Sequence, residues 1–385
     1  MDLIYKLDSS SEILIDSISD VSSVSELFLS LNEHVDEILD FLEIIDKKTT
    51  MIERKYLNLS QELSLSNDEV LASLPSFALK RSFQNISREM RSTLQSKENE
   101  EYLITYLSIK RFLRSLSRAY VDNKKLKEVL ERTENKISEE KIKAFFKTKK
   151  DGSLDKTRYS MVGSSTGRLT VKDGPQILTL KSDARCAFKS RYQSGRVLQI
   201  DLVAAEPNIA LKFCNKETSK DVYGYLAEHV LSGRVSRKEA KLITLSALYG
   251  QSSKNLQNQL PSDINPKTVI KKTRDFFEID RLEKMLYLKH RDKNLRNILG
   301  RPIKLPHGQE RLLISYYLQS SAAEMSIMMF SNLMRELGND AAALFVIHDA
   351  LILDCNEKLT EKFKDGDRVI LRLGDWSFDA KVSYL

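Results

Sequence analysis

The stretch Ala343-Leu-Phe-Val-Ile347-His348-Asp349-Ala350-Leu-Ile-Leu-Asp354 sets two short apolar runs on either side of a His-Asp pair. Such runs separated by two polar residues read as the arms of a tight hairpin, with Asp349 at its tip. A second acid, Asp201, ends the apolar run Val197-Leu198-Gln199-Ile200, another strand candidate. An ionised carboxylate beside so much apolar surface is costly unless a cation or partner compensates it. Two of them on one sheet repel each other unless divalent ions lie between, and hard oxygen ligands facing phosphate oxygens form the protein half of a two-metal site. Taken singly, each aspartate reads first as a turn residue capping its own backbone.

Working outward, the chain alternates in texture. Residues 1–50 are Ser-rich and acidic, with a helical patch over Val24–Ile45. Residues 51–150 are almost free of Gly and Pro and read as amphipathic helices, for example Tyr102–Val121 and Asn123–Thr148. From 153 to 210 Gly, Pro and short β-rich runs predict extended strands and loops. Residues 211–335 are again helical, interrupted by Pro261, Pro266, Pro302 and Pro306, and 342–385 returns to strands. Helices, sheet, helices, sheet in that order predict one sheet built from distant pieces of chain, an α+β design.

The segment Ser236-Arg-Lys-Glu-Ala-Lys-Leu-Ile-Thr-Leu-Ser-Ala-Leu-Tyr-Gly250 carries the most chemistry. Ser236 with Glu239 forms a capping box at one end, and Gly250 is a natural stop at the other. Arg237, Lys241, Leu245 and Tyr249 recur every four residues, so they share one broad stripe. Two cations, an apolar side chain and an aromatic ring on that stripe can hold a triphosphate at one end and a base at the other. An ordinary amphipathic helix shows the same spacing.

The 385 residues carry a formal charge of +7. Residues 1–50 hold three Lys against twelve Asp/Glu, a net −9, so the remainder carries +16. A basic body of that size suits a polyphosphate backbone, whose counterions are released on binding, and equally a merely soluble Lys-rich surface. No run approaches the ~18 apolar residues of a membrane span, and the acidic N-terminus is unlike a secretory signal. Cys186, Cys214 and Cys355 are widely spaced and read as reduced, structural thiols. A cytoplasmic setting, in a bacterium or a phage-infected cell, is expected.

In order, Thr166-Gly167-Arg168-Leu169, Asp201-Leu-Val-Ala-Ala-Glu206, the Arg237/Lys241/Leu245/Tyr249-Gly250 helix and His348-Asp349 resemble the motifs of family A DNA polymerases, the DNA polymerase I type. Gly300-Arg301-Pro-Ile-Lys-Leu-Pro306 resembles the segment before that family's template-contacting helix, on which Arg311, Ser315 and Gln319 would fall. The resemblance covers roughly residues 155–385. It implies a right-hand fold with an antiparallel palm sheet, helical fingers and a helical thumb. The expected division is an acidic extension 1–50, a thumb-like region 51–150, palm 151–210 and 336–385, and fingers 211–335.

By that resemblance Asp201 and Asp349 coordinate two Mg²⁺ ions (Mn²⁺ a substitute) for in-line phosphoryl transfer. Arg237 and Lys241 bind the phosphates of the incoming dNTP, and Lys241 is a candidate proton donor to the leaving pyrophosphate. Leu245 and Tyr249 meet the sugar and base, and Glu206 packed on Tyr249 excludes a 2′-hydroxyl. Arg168, Arg311, Ser315, Gln319 and His348 contact primer–template DNA. The chain departs from the family pattern at Ala350, where a second acid is usual, at Leu245 for an aromatic residue, at Ser315 for an amide, and at Pro207-Asn208, where Pro is expected to bend the backbone. Nothing resembles a proofreading domain, so an exonuclease-free polymerase is expected, with 1–50 as a candidate protein-partner arm. Two other readings stay open: a primase, terminal-transferase or RNA-synthesising offshoot of the fold, and a weak or inactive nucleic-acid-binding scaffold.

Overall fold

A computed structural model describes residues 4–8, 11–14, 40–45, 88–89, 92–216, 221–251 and 253–385. Most of the expected Val24–Ile45 helix and of the thumb-like segment 51–150 before residue 92 lies outside the described residues. The chain divides into two compact units, residues 1–111 with 300–302, and residues 112–299 with 303–385. In the first unit, strands β1 (Ile4–Asp8) and β2 (Ser11–Leu14) pair antiparallel. Phe41, Tyr102, Tyr106 and Ile109 are fully buried there, with Phe41 centred 6.0 Å from the Tyr102 ring and 5.5 Å from that of Tyr106. The Arg301 guanidinium donates to the Tyr102 hydroxyl at 3.1 Å.

The second unit mixes helices with antiparallel sheets. Its short strands are β3 (Tyr120–Val121), β4 (Arg158–Ser160), β5 (Thr170–Asp173) and β6 (Phe188–Lys189), paired β3 with β6 and β4 with β5. Its main sheet is formed by β7 (Arg196–Leu202), β8 (Ala341–Ile347), β9 (Ala350–Cys355), β10 (Arg368–Leu373) and β11 (Trp376–Tyr384) in the order β10-β11-β7-β9-β8. Every neighbouring pair is antiparallel. Leu198, Ile200, Val346, Leu351, Ile352 and Val382 are fully buried within it, as near-continuous apolar runs require when both faces are covered. The 25-residue helix Leu313–Leu337 lies against β8, β10 and the helix Ala205–Phe213. At the outer edge, Ser117 N–H donates to the Ala343 carbonyl of β8 at 2.7 Å, occupying an edge that would otherwise stay open. Phe145, Phe146, Phe188 and Phe345 form an aromatic cluster beside β8.

Several local expectations change. The helix expected over Tyr102–Val121 runs Lys97–Ser115, and Tyr120–Val121 is instead strand β3, drawn out by pairing with β6. The expected Asn123–Thr148 helix is two helices, Asn123–Glu131 and Lys136–Phe145. Asp122 caps the first through the N–H groups of Lys124 and Lys125, and Asn135 caps the second through Ser138. Helix begins at Ala205, inside the segment read as extended. Pro207 does not bend it, because it sits in the first turn, where the missing N–H has no intrahelical acceptor anyway. No helix among the described residues is long and apolar enough to cross a membrane.

Candidate active site

Asp201 sits near the end of β7, directly across from Ala350 of β9. The hairpin tip is fastened to it: the Leu202 N–H donates to the Asp349 carbonyl at 3.0 Å. The tight turn is possible because His348 takes a left-handed φ of 54°, a conformation His adopts more readily than β-branched residues. Burial pushes the Asp201 carboxyl up to about 6, and the charge of Asp349 pushes the same way; Lys241, Gln199 and Arg185 oppose the rise. The two aspartates and Lys241 are therefore electrostatically close.

Glu206, in the first turn of the Ala205–Phe213 helix, is held from two sides. Its Oε1 accepts from the Arg168 guanidinium at 2.7 Å, and its Oε2 accepts from the Tyr249 hydroxyl. Burial first, and then the Glu206 charge, push the Tyr249 phenol upward, while a hydrogen bond from Gln319 opposes this. Arg168, Glu206, Gln319, His348 and Asp349 line a small cavity of about 70 Å³. Motifs spread from Arg168 to Asp349 thus meet at one place.

The helix Arg237–Tyr249 starts with the expected capping box, Ser236 accepting from Glu239 N–H and Glu239 accepting from Ser236 N–H, and ends at Gly250 with φ 65°. Its stripe splits by environment. Tyr249 is at Glu206, Leu245 is half-buried, and Lys241 and Arg237 are exposed. The Arg237 Nε donates to both oxygens of Asp221 at 3.0 and 2.9 Å. Both cations lie over one ring, that of Tyr223, at 5.6 Å for Arg237 and 5.9 Å for Lys241. Tyr223 is 5% exposed, and burial, then Glu206 and Asp349, drive its phenol upward. Sequence reading missed Asp221 and Tyr223, because nothing in their local pattern links them to a helix that begins fourteen residues after Tyr223.

Arg311 and Ser315 both have hydrogen-bond partners within the chain. Arg311 belongs to a short 3₁₀ turn, Glu310–Leu312, ahead of the helix that begins at Leu313, and its Nε donates to Gln309. Ser315 is 5% exposed, and its hydroxyl donates to the Leu312 carbonyl at 2.9 Å, so that group is spent on the backbone.

Among the described residues no cluster of three or more His, Cys, Asp or Glu side chains could hold a metal by itself. A close carboxylate pair, one member strongly desolvated, instead fits Mg²⁺ that takes its remaining ligands from water and phosphate oxygens.

No family model matches the chain. It is 24% identical over 275 residues to DNA polymerase I of Aquifex aeolicus, an alignment covering 64% of this chain and 47% of that protein. The chain thus spans about half the length of the curated relative it matches. Among solved structures, the POL domain of Pol1 from M. smegmatis, in complex with DNA primer-template and dNTP, is 16% identical with a TM-score of 0.48, covering 96% of this chain and 65% of that one. By sequence the chain is distantly similar to DNA polymerase I.

Proposed function

We propose that the chain is a template-directed DNA polymerase that adds deoxynucleotides to a primer 3′ end by two-metal phosphoryl transfer and lacks a 3′–5′ exonuclease. The observation that carries this reading is the convergence of Asp201, Asp349 and Lys241 beside the Glu206–Tyr249 pair. In this reading 151–210 and 336–385 serve as palm, 211–335 as fingers, 51–150 as thumb, and 1–50 as an arm for a protein partner.

Asp201 and Asp349 would hold two Mg²⁺ ions. Bound there, such ions supply charge neutralisation on the phosphates and a more acidic primer hydroxyl. Lys241 and Arg237 would bind the triphosphate, and Lys241 would give a proton to the departing pyrophosphate. Arg237 must first exchange Asp221 for a phosphate oxygen, a swap of one charge-assisted partner for another. Glu206, anchored by Arg168 and Tyr249, fills the space a ribose 2′-hydroxyl needs. Arg168, Gln319 and His348 border the primer–template end.

Ala350 beside Asp349 favours one secondary reading, a catalytically weak or inactive DNA-binding form, because the site has one acid fewer than the family pattern. Primer extension with Mg²⁺ and dNTPs separates the two. Extension by wild type and none by Asp349→Ala supports the polymerase; steeply salt-dependent primer–template binding without extension supports the binder.

A further inference from the structure

Gln199 precedes Asp201 by two residues on β7, so the pleat puts both side chains on one face. Its amide is engaged at both ends. Gln199 Oε1 accepts from Arg185 Nη1 at 2.9 Å, and Gln199 Nε2 reaches Asp201 Oδ2 in a loose donor contact of 3.5 Å, longer than the usual N–H···O bond. The chemistry allows only this orientation. A guanidinium can only donate and a carboxylate can only accept, so an amide between them must turn its oxygen to Arg185 and its NH₂ to Asp201.

Arg185 is itself fixed by donating from Nη2 to the Leu180 carbonyl at 3.3 Å. Its Nε is buried with no hydrogen-bond partner among the described residues. A half-buried cation with an N–H left over adds little to folding stability. What it does supply is a donor to Gln199 on β7. The strands beside Asp201 give it no comparable neutral donor: its register partners are Ala350 on β9 and the exposed Lys381 on β11. Direct pairing of Asp201 with an arginine would set a full positive charge against any metal bound there. An interposed amide transmits the orientation and keeps that charge one residue away.

Resting on the two-carboxylate reading above, we propose that Gln199, its amide locked by Arg185, is a positioning residue that holds Asp201 through Oδ2 and leaves Oδ1 to a divalent cation. Outer-shell partners of this kind change metal affinity by about 10–100-fold when removed.

The test is Mn²⁺ binding, followed by electron paramagnetic resonance, to the full chain on a primer–template ending in a dideoxynucleotide, with no dNTP present. Gln199→Leu is expected to weaken Mn²⁺ binding about tenfold, with primer–template affinity unchanged. Gln199→Met, which keeps length and volume, gives the same shift and serves if the Leu variant fails to fold. A residue that is only structural would lower the melting temperature and leave Mn²⁺ affinity alone. Wild-type Mn²⁺ affinity in the Gln199 variants, alongside lost binding in Asp349→Ala, overturns the positioning role and leaves the metal site standing. Mn²⁺ binding indifferent to Asp349→Ala overturns both.

Discussion

If the chain is the polymerase proposed above, replacing Glu206 with Ala should let its site accept ribonucleotides. In the structure the carboxylate is tied by two charge-assisted hydrogen bonds, from Arg168 and from Tyr249. A 2′-hydroxyl can enter only if Glu206 moves off these partners. Such bonds contribute about 1.5–3 kcal/mol each, and the Arg168 side chain is 41% exposed, which places its share at the low end. The displacement therefore costs about 3 kcal/mol, or roughly a hundredfold in the ratio of kcat/KM for dNTP over rNTP. Glu206→Ala should lose that factor mainly through faster rNTP use, because the dNTP has no group in that space. Single-turnover primer extension with matched dNTP and rNTP measures it. Tyr249→Phe, which keeps the Arg168 anchor, should lose only part of the discrimination. Unchanged selectivity in Glu206→Ala would refute the idea that this pair sets the sugar.

Other consequences follow from the same contacts. Because the folded Asp201 carboxyl sits at about 6 against 3.8 unfolded, the native state holds the extra proton between those values. The metal-free protein should therefore gain stability as pH falls from 6 towards 4, and carry the full penalty above 6. Asp201→Asn should remove that penalty, up to about 3 kcal/mol, and unfold at higher urea than wild type at pH 8 in EDTA while extending no primer; a less stable variant there would contradict the burial argument. Tyr159 is 6% exposed; its hydroxyl donates to the Val346 carbonyl at 2.9 Å and accepts from Val346 N–H at 3.1 Å. Tyr159→Phe strands two buried backbone groups and should cost about 2–4 kcal/mol in urea unfolding; a change below 0.5 kcal/mol would mean another group takes them up. A labelled primer incubated with metal but no nucleotide should keep its length, and shortening would reveal an exonuclease.

The parts of the fold that were legible in sequence are those set by local pattern. The β8–β9 hairpin shows unbroken apolar runs, β7 a run broken only by Gln199, and the 237–249 helix its own cap and stop, so each follows from residues a few positions apart. What was missed depends on remote partners. Tyr120–Val121 becomes a strand only because Phe188–Lys189 lies beside it. The break at 132–135 carries no Gly or Pro, only an Asn cap that helical periodicity hides. Pro207 looked disruptive because its effect depends on where the helix begins, and Ala205 is not marked as a start: the residue before it, Ala204, adopts φ 52° without a side-chain cap. Asp221, Tyr223 and Gln199 acquire roles only through packing across the sheet and helices.

That the two key aspartates could be paired from sequence at all reflects how strictly the sheet fixes register. β7 and β9 pair from Arg196↔Cys355 to Asp201↔Ala350, and nearly every residue between is buried. Slipping by one position would turn Leu198 and Ile200, both fully buried, to the opposite face, and would move Asp349 off the Leu202 N–H that fastens it. Burying a Leu or Ile side chain contributes about 1.5–3 kcal/mol. Several such side chains outweigh the cost of keeping Asp201 ionised there, of the order of 3 kcal/mol and set first by burial and then by the charge of Asp349. The apolar core thus forces together two charges that would otherwise separate, and a site strained in this way gains most from a divalent cation. The same register leaves Ala350 opposite Asp201, so the orienting donor must come from Asp201's own strand, where Gln199 stands.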